Sequence, residues 1–231
     1  MSYVKVFSLI ASAAFYTVAI TPPQPRVVSD AVYKGQSWEY IVRYISYAAG
    51  ATIMFPTFLH SFLLAYPGVH SLQVTPLICP TTPSHAQLAA LTPSFIVGLI
   101  ILLFGASIRL WSYHVLGSLF TFEVVIKDDH KLITGGPYAY VRHPAYTGIL
   151  CLTTGAYLTH FGAGGYVAVC GVEGIPALAV LGWLWRISSL FSFVSLYRRC
   201  SVEDGKLKAQ FGLAWMRYKA DVPYALIPYV I

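Results

Sequence analysis

Charged residues are scarce in this sequence: Asp, Glu, Lys and Arg make up 10% of its 231 residues, where roughly 25% is usual for a soluble domain. That scarcity excludes a soluble globular fold. Cysteine is sparse too. Cys79, Cys151, Cys170 and Cys200 form no CxxC and no Cys/His spacing suited to a metal, so neither a metal site nor a disulfide framework is expected. Repeats and low-complexity segments are lacking, which excludes a solenoid. The closing IPYVI has no cysteine, so no prenylation signal of the chain's own is expected. Lysine and arginine are missing altogether from 67–92 and from 162–174.

Hydrophobic residues are abundant, at 57%, and they fall in runs near the 20 or so residues that a helix needs to cross a bilayer. Five spans are expected, at about 4–20, 38–66, 93–113, 144–162 and 174–197. The net charge of +6 could suggest nucleic acid, but its distribution points to a bilayer. Arg26, Lys34, Lys127, Lys131, Arg142, Arg198, Arg199, Lys206, Lys208, Arg217 and Lys219 fall in the first loop, the third loop and the tail. By the positive-inside rule those parts are cytosolic, and the two loops without cations are lumenal or external. The 1–20 segment has no convincing A-x-A cleavage site before Pro22, so it is expected as a retained span rather than a signal peptide. The fold expected is an all-α polytopic membrane bundle of about five helices with a cytosolic C-terminal helix. It forms one domain, with N-terminal spans in 1–113 and the polar loop, last spans and tail in 114–231.

Polar information concentrates in GGPYAYVRHPAY, residues 135–146. Pro144 lacks an N–H and has a helical φ, which suits the first turn of the fourth span, and it pushes His143 out of the α region. His143 is thus expected at a helix mouth whose N–H groups and dipole attract an anion. Arg142 adds a fixed positive charge. Gly135 and Gly136 let backbone approach a ligand, and Tyr138, Tyr140 and Tyr146 offer aromatic faces with hydroxyls. Singly, these residues read as a membrane anchor, a cap and an interfacial belt. Their density within twelve residues favours a site for a small zwitterionic or anionic cofactor with an aromatic part.

In the tail, Leu207, Phe211, Trp215 and Tyr218 make a helical apolar stripe. Extended backward, the stripe meets Glu203 and then Arg199, and an acid on a packing face needs a partner, either Arg199 or a ligand's ammonium. Asp204 lies four residues before Lys208, an order that suits a solvated ion pair. Arg186 falls inside the fifth span, where a cation faces a cavity or a partner. Arg43 and Arg109, near span ends, are expected to snorkel.

The 116–228 stretch resembles the isoprenylcysteine carboxyl methyltransferases of the endoplasmic reticulum, within a wider group of membrane methyltransferases that includes phospholipid N-methyltransferases. The resemblance rests on an ordered set: LGSLFTFEVV, DHKLITGGPY, GPY at 136–138, RHPAY at 142–146, the acids at 203 and 204, and FGLAWMRYKADVPYALIP. Asp204 stands where glutamate is common in the group, and Trp215 where tyrosine is usual. The resemblance implies S-adenosylmethionine as methyl donor, and as acceptor the C-terminal carboxylate of prenylated CaaX-type proteins after proteolytic trimming. It also implies an endoplasmic reticulum location. It would surround the cofactor with Gly136, Pro137, Tyr138, Tyr140, His143, Pro144 and Tyr146, with Asp204 also in the cofactor site and Glu203, a catalytic candidate as well, reaching the cofactor's amino group.

A carboxylate acceptor needs no strong base, so positioning is expected to dominate catalysis. An arginine suits orienting that carboxylate: Arg199 first, then Arg142, with Arg186 and Trp215 as substrate-binding candidates. The rival readings are a phospholipid N-methyltransferase, an NADPH-dependent sterol-type reductase of the membrane and a non-catalytic scaffold.

Overall fold

The computed structural model of the chain describes residues 2–24, 42–66, 68, 75–121 and 131–230. Regular structure among these residues is helical throughout: α1 (Ser2–Ile20), α2 (Val42–Ala65), α3 (Thr75–Ile78), α4 (His85–Ala89), α5 (Pro93–Leu116), α6 (Pro144–His160), α7 (Tyr166–Cys170), α8 (Pro176–Phe211) and α9 (Leu213–Asp221). The expected start of the second span at 38–41 and the cations Arg26, Lys34 and Lys127 lie outside the described residues.

Local chemistry sets several of these boundaries. Proline opens α5, α6 and α8, where its missing N–H costs nothing. Ser84 caps α4 in a box with Gln87, whose Oε1 accepts from the Ser84 amide at 2.8 Å. Gly212, at φ 52°, breaks the tail helix into α8 and α9. Among the described residues, four helical stretches are long and apolar enough to cross a membrane: Ser2–Ile20, Arg43–Ala65, His85–Leu119 and Pro176–Phe211. The fourth of the five expected spans forms α6, which at 17 residues is shorter than these.

The chain divides into two compact units, each drawn from three stretches. The first comprises Met1–Val18, Ala48–Phe104 and Cys151–Phe191; the second comprises Ala19–Tyr47, Gly105–Leu150 and Ser192–Ile231. The boundary drawn at 113 from the sequence falls inside the second unit.

In the first unit, Leu9, Leu63, Leu88, Phe95 and Tyr166 lie at the centre of the core. Lys5 is fully buried within it, and its ammonium donates to the carbonyls of Leu88, Ala90 and Gly164 at 2.7, 2.8 and 2.7 Å. The three bonds use all three of its protons, which is how a buried ammonium is tolerated. Close approach of α5 and α6 depends on glycine: a Cβ on Gly155 would stand 2.5 Å from the Leu102 nitrogen and 2.6 Å from the Gly98 oxygen.

Cys79 and Cys170 form a disulfide across 91 residues, with Cα atoms 4.4 Å apart. This corrects the expectation of no disulfide. Spacing along the chain carried no signal, because the bond joins two separate loops, both among those without cations. The bridge is reinforced by Thr81, whose hydroxyl donates to Val169 O at 2.6 Å and whose amide donates to Cys170 O at 3.2 Å.

In the second unit, Arg109 is 3% exposed. Its Nε donates to Ala19 O at 2.6 Å and its Nη1 to Ala145 O at 3.0 Å. The expected snorkelling is therefore replaced by a buried crosslink from α5 to the end of α1 and the start of α6. Arg43, half-buried, donates to Gln24 O at 2.9 Å. The tail stripe packs as its periodicity predicts, with Trp215, Tyr218 and Val222 buried against Leu132, Leu207 and Phe211.

Candidate active site

The site lies wholly in the second unit, where the start of α6 meets the later turns of α8. At roughly 1.5 Å per residue the 36 residues of α8 run about 54 Å, against about 30 Å of hydrocarbon. The apolar first part therefore suffices to cross, and the turns carrying Arg199, Glu203 and Asp204 extend beyond it. Before α6, Gly136 at φ 62° turns GPYA into a short 3-10 segment, and a Cβ there would meet Val115 Cγ2 at 3.0 Å. The positive φ favours glycine, and the valine methyl leaves little room for a larger residue.

Five charged side chains interlock. The Arg142 guanidinium holds Asp204 Oδ2 from Nε at 3.2 Å and from Nη2 at 3.1 Å. His143 Nε2 contacts Asp204 Oδ1 at 2.9 Å, and its Nδ1 faces Glu203 Oε2 at 3.4 Å. The Tyr146 hydroxyl donates to Glu203 Oε1, which also accepts from Arg199 Nε at 3.3 Å. The His143 and Tyr146 rings stack, with centroids 5.7 Å apart, and the Arg199 guanidinium lies 5.8 Å from the Tyr146 ring centroid.

A carboxylate can only accept. An imidazole whose two nitrogens both face carboxylates is therefore an imidazolium. Burial pushes His143 down, but the hydrogen bonds and charges of Asp204 and Glu203 outweigh it and raise the group to about 9. With His143 charged, three cations meet two anions in a cluster that leaves Arg142, His143 and Arg199 each under a tenth exposed. The site thus carries anionic and cationic partners for a zwitterion, with one net positive charge.

Several sequence-predicted residues come together here, and others do not. His143, Tyr146, Glu203, Asp204, Arg142 and Arg199 form one network. Pro144 opens α6, and Pro137 and Tyr138 are buried in the 3-10 segment that precedes it; burial lifts the Tyr138 hydroxyl above the usual phenol range. Tyr140 is 67% exposed. Trp215 is buried in the tail cluster. Arg186 stands in the first unit, where it pairs with Glu173 at 2.6 Å and lies over the Phe161 and Trp183 rings. Asp204 pairs with Arg142 and His143, where the sequence suggested Lys208.

The expected open helix mouth is also corrected. The Arg142 and His143 amides donate to Tyr224 O at 3.0 Å and Ala225 O at 2.9 Å, so neither awaits an anion. Sequence reasoning missed these acceptors, along with Tyr218, whose hydroxyl donates to Tyr138 O at 2.8 Å. Backbone carbonyls leave no residue-type signature. Among the described residues no group of three His, Cys, Asp or Glu side chains stands ready for a metal.

Fold and site together define a helical membrane protein with a buried cluster of charged side chains at the entry to one helix and the extension of another. Residues 97–181 match the isoprenylcysteine carboxyl methyltransferase (ICMT) family. The chain is 29% identical over 135 residues to protein-S-isoprenylcysteine O-methyltransferase B of Arabidopsis thaliana, a match covering 58% of each chain. It is 30% identical over 130 residues to the protein-S-isoprenylcysteine O-methyltransferase of Dictyostelium discoideum, covering 54% of this chain and 46% of that one. Against the Homo sapiens protein of the same name it is 30% identical over 142 residues, covering 61% and 43%. The match thus spans about three-fifths or less of these relatives. No solved structure matches the chain.

Proposed function

We propose that the protein is a membrane methyltransferase that esterifies the C-terminal carboxylate of a prenylated cysteine, with S-adenosylmethionine as donor. The observation that carries this reading is the His143 imidazolium fixed between Glu203 and Asp204, within the stretch that resembles the isoprenylcysteine methyltransferases. A histidine held in its charged form cannot serve as a general base. A carboxylate acceptor needs none, whereas an ammonium acceptor would have to lose a proton. The reading is therefore favoured over a phospholipid N-methyltransferase.

The donor set fits S-adenosylmethionine. Glu203 is the partner for its ammonium, and the net positive charge of the cluster is suited to its carboxylate. When bound, S-adenosylmethionine supplies an electrophilic methyl on a sulfonium; an oxygen–methyl bond forms as the sulfur–methyl bond breaks, leaving a neutral thioether and transferring no proton. The chain's residues bind, orient and exclude water. Arg199 orients the acceptor carboxylate. Arg142, committed to Asp204 and to backbone carbonyls, acts as a positioning residue rather than a substrate ligand. The acceptors are CaaX-type proteins after trimming, and their prenyl chains approach through the bilayer.

The site faces the cytosol of the endoplasmic reticulum in this reading. Two arguments support it: the cations of the third loop and tail, and the Cys79–Cys170 bond, which suits the oxidising lumenal side. The test is transfer of labelled methyl from S-adenosylmethionine to a farnesylated cysteine analogue in membranes containing the protein. Base-labile ester that is lost in His143→Ala is expected. Absence of ester while the donor still binds would overturn the acceptor assignment.

A further inference from the structure

Five consecutive carbonyls of the tail are held by one six-residue stretch. Arg142 Nη1 donates to Val222 O at 2.9 Å and also to Pro223 O. The Arg142 amide takes Tyr224 O and the His143 amide takes Ala225 O, while the Thr147 hydroxyl takes Leu226 O at 2.6 Å. No donor in this set depends on the side chain it grips, so 222–226 is held as backbone, like the edge of a sheet with a single partner. Its anchoring side chains, Val222 and Leu226, are 8% and 2% exposed.

Two of the three residues that grip the strap, Arg142 and His143, belong to the site. The guanidinium that binds Val222 O and Pro223 O also holds Asp204, which holds His143. His143 is thus fixed through its amide by the strap and through its ring by the acids. We infer that the 222–226 strap positions His143 and Arg142, and that Thr147, which fastens its far end without touching either acid, is a positioning residue for the proposed reaction. The inference rests on that reading only for its activity readout.

Hydrogen exchange on the full chain in nanodiscs tests docking directly. In the wild type, the Arg142 and His143 amides should be protected; exchange at the rate of unstructured peptide would overturn the inference without any variant. Thr147→Val removes one hydroxyl donor at near-constant shape. Since a hydrogen bond contributes about 0.5–1.5 kcal/mol, it should speed exchange of both amides about 2- to 12-fold. Thr147→Ser should restore wild-type protection.

A merely structural strap would leave the chemistry alone, so donor affinity and the pH dependence of donor binding are measured on the same samples. The groups facing His143 are Glu203 and Asp204 from α8 and, from its own segment, Tyr146 stacked on its ring; Arg199, Arg142 and Cys200 act on those acids, and the strap presents carbonyls only. Thr147→Val should weaken S-adenosylmethionine binding several-fold and move the alkaline limb of its pH profile to lower pH, with Thr147→Ser normal in both. Faster exchange with unchanged affinity and pH limb would overturn the positioning role. If Thr147→Val behaves as expected but the wild type makes no ester on a farnesylated cysteine analogue, the strap stands and the acceptor reading fails.

Discussion

Glu203→Gln isolates the charge that the site presents to an ammonium. The Glu203 carboxylate accepts from Tyr146 and Arg199 and faces His143. Glutamine preserves its size and one carbonyl oxygen, so at least one of those donors keeps a partner. What disappears is the negative charge. A hydrogen bond to a charged group contributes about 1.5–3 kcal/mol, and each 1.4 kcal/mol is about a decade of affinity, so Kd for S-adenosylmethionine should rise about 10- to 150-fold. The product S-adenosylhomocysteine carries the same ammonium and should weaken in parallel. Calorimetric titration in nanodiscs reads both, alongside the melting temperature of each variant. Glu203→Asp, one methylene shorter but charged, should fall between wild type and Glu203→Gln. A folded Glu203→Gln protein that binds both ligands within about twofold of wild type would refute the assignment of the ammonium to Glu203.

Other perturbations report on the frame around the site. Because His143 is raised from 6.5 to about 9 on folding, its contribution to stability is complete below pH about 6.5 and is lost as pH rises through about 9. The melting temperature should therefore fall across pH 7–10, and this slope should flatten in His143→Gln. Cys79→Ser should lower the melting temperature as much as reducing the wild type does, with a loss of at most about 4–5 kcal/mol from chain entropy. Equal melting with and without reductant would contradict a structural role for the bond. Gly155→Val puts a Cβ within 2.6 Å of α5 backbone atoms and forces the helices apart, at about 1–3 kcal/mol or more; monodisperse yield by size-exclusion chromatography should drop sharply.

The parts of the structure legible in the sequence are those written in side-chain type. Pro144 announced the start of α6, the 207–218 stripe announced its own burial, and Glu203 stood out as an acid on a greasy face. For Asp204 the sequence offers both a site role and a surface pair with the lysine four residues on, and only the fold brings Arg142 across 62 residues to take the place of that lysine. Arg109 was misjudged for a related reason. A cation near the end of an apolar run can reach water or turn inward, and the carbonyls of Ala19 and Ala145 decided the matter. The strap lay beyond sequence reasoning altogether, because its acceptors are peptide oxygens that every residue possesses.

The bond between Cys79 and Cys170 also has a topological meaning. Two cysteines joined on one side of a bilayer require the intervening chain to cross it an even number of times. Between them α5 supplies one crossing, and α6 is the helix available for the return. Its 17 residues reach only about 25 Å, short of a hydrocarbon core of about 30 Å. Such a deficit is met by thinning the surrounding lipid, at a fraction of a kcal/mol for each Å. A single covalent link thus fixes the parity of the crossings between Cys79 and Cys170, and a return through α6 would require a thinner bilayer beside that helix.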